Sequence, residues 1–128
     1  MAKSVRVKDI LLFLQSDPGR RMQICASKGK LWKEQPFVLG ISAREVYDEE
    51  KEDEMLLVQG IIDVYFEEAD GLVVLDYKTD KIFSDKELVE KYHAQLDYYA
   101  KALEQMTEKK VKEKIIYSFT LQKSIKIP

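Results

Sequence analysis

Two carboxylates and one ammonium stand in stretches that otherwise read as buried strand: Asp63 in Gly60-Ile61-Ile62-Asp63, and Asp76 and Lys78 in Asp76-Tyr77-Lys78-Thr79-Asp80. Val58, Ile61, Ile62, Val64, Tyr65 and Phe66 surround the first acid, and Leu72, Val73, Val74 and Leu75 lead into the second. Charges in such surroundings are costly unless something pairs with them. Side chains alternate along a strand, so Asp76 and Lys78 share a face, roughly 7 Å apart along the backbone. If an even number of residues joins the two strands, cross-strand pairing adds Asp63 to that face; a bulge at Gly71 would break the inference. Two carboxylates converging with a lysine suit metal-assisted phosphodiester hydrolysis. Hard oxygens hold Mg²⁺ or Mn²⁺, the metal acidifies a water and neutralises the phosphate, and the ammonium orients the nucleophile or stabilises charge. The plainer alternative is a solvated hairpin face with an ion pair of little energetic value.

The elements that must position these groups are legible from periodicity. Val5 to Gln15, with Val7, Ile10, Leu11 and Leu14, has the spacing of an amphipathic helix, and Ser16-Asp17-Pro18-Gly19 breaks it. A second short helix is expected from Pro18 to Lys28, turning Met22, Cys25 and Ala26 inward and closed by Gly29. Lys30 to Ile41 reads as a strand with Trp32 and Phe37 in the core and Pro36 marking an edge. Met55 to Glu67 and Leu72 to Lys78 form an antiparallel hairpin about Glu68-Ala69-Asp70-Gly71. Ser84-Asp85-Lys86-Glu87 is a capping box opening a long helix to about Met106, and Val111 to Leu121 returns as a strand. The order is α-α-β-β-β-α-β, and the natural packing is an α/β domain with a mixed central sheet flanked by helices. On the long helix Leu88, Tyr92, Gln95, Tyr99 and Met106 share one stripe, so Gln95 is an amide in a core-facing row and needs a partner. That partner is either the site or a neighbouring core group, and Tyr99 is either a site residue or simple packing.

Composition narrows the function classes. The chain has 128 residues, 45% hydrophobic, and a net charge of −2, enough for one core but unlike a domain that grips nucleic acid by bulk electrostatics. Its apolar runs are far short of a membrane span and its start lacks a signal-peptide layout, which sets a cytoplasmic expectation. The single cysteine, Cys25, excludes an internal disulfide and a four-cysteine cluster built by this chain alone. The acidic run from Asp48 to Glu54 reads as a solvated loop, and Lys109 to Lys114 as a solvated helix exit.

In order, Gly60-x-x-Asp63, Asp76-Tyr77-Lys78-Thr79-Asp80 and Tyr92-x-x-Gln95-x-x-x-Tyr99-Ala100 resemble the RecB-type branch of the PD-(D/E)XK nucleases. Within it they are most similar to the carboxy-terminal nuclease domains of AddA (RexA)-type bacterial helicase-nucleases, from Leu31 to the end of the chain. The resemblance implies a restriction-endonuclease-like fold in one domain, residues 1–128, with 1–29 a helical lead-in and 30–128 the nuclease core. It implies that Asp63 and Asp76 ligate Mg²⁺ with the Tyr77 carbonyl, that Lys78 positions the attacking water, and that Gln95 and Tyr99 support the site or touch DNA. The implied setting is the trimming of DNA ends for recombinational repair. The partners would be DNA, a helicase body in the same polypeptide that alone uses ATP, and a second helicase-nuclease subunit. The family usually carries another metal ligand, a histidine in an upstream Gly-Thr-x-x-His-like helix. No such segment occurs here, and the only histidine, His93, lies off the Gln95 stripe. The expectation is therefore a fragment beginning after that helix, with an incomplete metal centre on its own. The rival classes are a nuclease-like interaction module without activity and a stand-alone resolvase-type or CRISPR-associated nuclease. The latter predict a more basic surface or a cysteine cluster.

Overall fold

The computed structural model of the chain describes residues 5–42, 55–81 and 84–128. Helices α1 (Val7–Gln15) and α2 (Asp17–Ser27) precede strands β1 (Leu31–Ser42), β2 (Met55–Glu68) and β3 (Gly71–Lys78). Helix α3 (Asp85–Thr107) then leads to β4 (Val111–Ser118) and β5 (Lys123–Ile127). The expected acidic loop, Asp48 to Glu54, lies outside the described residues.

Ser16 is the pivot of the helical lead-in. Its hydroxyl donates to the Phe13 carbonyl at 2.5 Å and accepts from the Gly19 amide at 3.2 Å, ending α1 and capping α2. Gly19 is required there, because a Cβ would stand 2.0 Å from the Phe13 carbonyl oxygen. The expected inward stripe of α1 is not the buried one: Phe13 is buried, whereas Val7, Ile10 and Leu11 are exposed. Phe13 wins because it alone reaches Tyr77 and Tyr117, at ring separations of 5.3 and 4.7 Å. On α2, Met22 and Cys25 point inward as expected, while Ala26 is exposed.

The sheet runs β1-β2-β3-β4-β5, antiparallel except for the β3–β4 pair, which the α3 crossover makes parallel. Helix α3 covers one face through Leu72, Val74, Ile116, Leu96 and Leu103, and α1 and α2 cover the other through Val64, Phe66, Val73, Leu75 and Ile115. Strand β3 is thus buried on both faces, which accounts for its unbroken Leu72-Val73-Val74-Leu75 run. The edge position of β1 accommodates Pro36. Trp32, expected in the core, is 36% exposed and stacks on Tyr65 at 4.9 Å.

Two departures from the expected layout matter. The last strand ends at Ser118, whose hydroxyl accepts from the Leu121 amide at 3.0 Å, and β5 follows as an additional strand. Strands β1 and β2 also switch faces midway. Leu56, Val58 and Ile62 pack on the α3 side, but so does Tyr65, while Val64 and Phe66 pack on the α1–α2 side. Glu34, with φ of 51°, and Asp63 drop out of the pairing between Lys33–Val64 and Gln35–Ile62, so the alternation breaks at Asp63.

Candidate functional site

The β2–β3 turn holds two residues, Ala69 and Asp70, and the ladder runs from Glu68–Gly71 to Val64–Leu75. Continuing that register sets Asp63 opposite Asp76, as even spacing requires. The ladder stops one step short, and the Asp63 carboxylate itself takes the next hydrogen bond, accepting from the Tyr77 amide at 2.9 Å. A side-chain oxygen there replaces a strand carbonyl and fixes Asp63 against the end of β3.

Asp76 is 2% exposed, beneath α3. Its carboxyl is pushed up to about 7, first by burial and then by the neighbouring Asp63 carboxylate, against the opposing pull of Lys78. The Lys78 ammonium lies 2.7 Å from Asp76 Oδ2, yet outside hydrogen-bond alignment, leaving Oδ2 as a buried oxygen without a hydrogen bond. The same ammonium donates to Gln95 Oε1 at 2.9 Å and sits 4.0 Å from the centre of the Tyr92 ring. Tyr92 is held in turn: its hydroxyl donates to Asp80 Oδ2, which also receives Lys91 at 2.7 Å. Tyr99 is buried edge-on against Phe37 at 5.4 Å, and its phenol is pushed up to about 12 by burial, then by the charges of Asp76 and Asp63.

All five of Asp63, Asp76, Lys78, Gln95 and Tyr99 therefore meet in one region where β2, β3 and α3 converge. Tyr77 contributes its amide to Asp63, while its side chain lies on the far face against Phe13 and Phe119. Met106, placed on the same stripe by spacing, is 45% exposed and plays no part. His93 is on the surface, 3.5 Å from Asp97. Lys109, Lys112 and Lys114, expected as a solvated exit, pair with Glu67, Glu68 and Asp97, because β4 has already begun. Sequence reasoning missed Asp80 and the ring of Tyr92. The available signal was the three-residue spacing from Tyr92 to Gln95, which puts both over Lys78.

The donor set fits a hard divalent cation. Two carboxylates lie close enough to raise one another's proton affinity, and the orphaned Asp76 oxygen is aimed among them. Among the described residues no third histidine, cysteine or carboxylate joins them. The match to a family model is extensive: residues 17–126 fit the model described as the PD-(D/E)XK nuclease superfamily. The chain belongs to that superfamily. Curated relatives of this nuclease domain point the same way, and each is named as the larger-than-domain component of an ATP-dependent helicase/nuclease. The protein of Lachnoclostridium phytofermentans is 38% identical over 97% of the chain and 12% of its own length. That of Thermoanaerobacter sp. strain X514 is 47% identical over 92% of the chain and 10% of its own length. That of Clostridium novyi is 41% identical over 98% and 10%. The chain thus spans about a tenth of the length of the curated relatives it matches.

Proposed function

We propose that this chain is the Mg²⁺-dependent exonuclease domain of an ATP-dependent helicase-nuclease that processes double-strand DNA ends for recombinational repair. The observation that carries the proposal is the convergence of Asp63, Asp76 and Lys78 in a pocket with more negative than positive charge. Asp63 and Asp76, with the Tyr77 carbonyl, would hold Mg²⁺ or Mn²⁺. A cation bound there supplies an acidified water and shields the negative phosphate. Lys78, fixed by Asp76, Gln95 and the Tyr92 face, orients the attacking water and offsets charge at the scissile group. Gln95 and Tyr99 wall the site. The names of the relatives support the helicase setting, with ATP used only by the motor. A net charge of −2 suits a cytoplasmic domain to which a tethered motor delivers the strand, and its protein partner would be a second helicase-nuclease subunit.

The test is Asp76→Ala in the full-length polypeptide. Mg²⁺-dependent cleavage should fall by roughly a thousandfold or more, with ATP-driven unwinding retained. Undiminished cleavage would sink the assignment.

A further inference from the structure

Beside the acid pair, β1, β2 and α3 enclose a cleft of about 350 Å³ bounded by Phe37, Gly60, Gln95, Tyr98 and Tyr99. It shares two walls with the site. Gln95 accepts the Lys78 ammonium at 2.9 Å and also lines the cleft. Tyr99 lines it too, with a phenol perturbed by the charges of Asp76 and Asp63. A group entering the cleft is therefore next to whatever Lys78 and the carboxylates hold.

The lining has a definite chemistry. Phe37 meets Tyr99 edge-on at 75°, and Tyr98 stands half-buried at the side with Lys101 5.9 Å from its ring centre. Aromatic faces with one amide suit a base and sugar better than a phosphate. Gly60 keeps the space open: a Cβ there would meet the Phe37 ring at 3.1 and 3.3 Å. The volume is at the small end of the roughly 300–1,000 Å³ of ligand pockets, enough for one nucleoside and not for a base pair.

We propose that this cleft receives the single unpaired nucleoside adjoining the phosphodiester that is cut at Asp63, Asp76 and Lys78, an inference that rests on the nuclease reading above. Stacking on aromatic faces tolerates any base, so the subsite fixes where the strand is cut without selecting its sequence. A base within a duplex cannot enter, so the strand must arrive unpaired at this point.

The experiment uses the full-length polypeptide, Mg²⁺ and single-stranded oligothymidylates carrying one abasic residue at successive positions, with cleavage at each bond followed by kcat and KM. Removing the base beside a given bond should raise KM for cutting that bond by roughly 5- to 150-fold, the usual range for loss of one stacked base. Tyr98→Ala should raise KM on the intact strand similarly and abolish the difference between intact and abasic strands. Cleavage indifferent to the abasic position, while Asp76→Ala remains inactive, would overturn the subsite and leave the nuclease assignment standing. Equal cleavage by wild type and Asp76→Ala would overturn both.

Discussion

The two ends of the β2–β3 hairpin carry charge in opposite ways. At the turn, Arg21 of α2 joins Glu68 at 2.7 Å and also Glu113, while Lys112 reaches Glu68 at 2.8 Å and Lys126 reaches Glu113 at 2.8 Å. Three cations serve two carboxylates. Arg21 accordingly holds the Glu68 carboxyl down at about 2 and lowers that of Glu113 as well. At the open end two carboxylates share Lys78, and Asp76 is pushed up to about 7 by burial and Asp63. The first cluster is satisfied within the fold and ties α2 to β2 and β4. The second is buried, under-compensated and costly, the electrostatic pattern expected of a site built to take a cation.

The largest effect that would sharpen this contrast is on stability. The Asp76 carboxyl holds its proton more tightly folded than unfolded, so its contribution falls as pH rises from about 4 through about 7. Asp76→Asn should stabilise the metal-free chain by about 2–4 kcal/mol at pH 8 and little near pH 4, measured by urea unfolding at both. An unchanged or lowered midpoint at pH 8 would break the contrast. Arg21→Met acts at the other end with the opposite sign. It should cost about 1–2 kcal/mol at pH 7, a value discounted for partial solvent screening. The Glu68 carboxyl is depressed, so the gap between wild type and variant should close as pH falls from about 4.5 towards 2, with cleavage untouched at neutral pH. A smaller effect is expected at Tyr92. Tyr92→Leu removes the face beneath Lys78 and should slow cleavage by about 3- to 10-fold, whereas Tyr92→Phe should stay within about threefold. Equal losses would assign the role to the Asp80 hydrogen bond instead.

The hairpin was legible because its signals are local. A two-residue Ala69-Asp70 turn fixes the register, and Ser84 accepts from the Glu87 amide at 3.2 Å as a capping box should. Asp76 with Lys78 follows from strand alternation alone, and Gln95 from helical spacing. The parity switch at Glu34 and Asp63 has no such signal: a positive φ at a glutamate breaks no visible pattern. Asp63 therefore reaches the site through a break in the ladder rather than through simple opposition. Strand β5 was hidden for a similar reason, since its turn uses Gln122 at φ 53° and the Ser118 hydroxyl, with neither Gly nor Pro to announce it. Phe13 and Asp80 depend on partners distant in sequence, on β3, β4 and α3.

The central claim is that the open end of the hairpin is short of one positive charge that a divalent cation supplies. Titration of the Asp76 carboxyl by ¹³C NMR, with and without millimolar Mg²⁺, measures this directly. The midpoint should lie near 7 without Mg²⁺ and move strongly to lower pH when the cation is added. A midpoint near the ordinary aspartate value of about 3.9, unmoved by Mg²⁺, would contradict it.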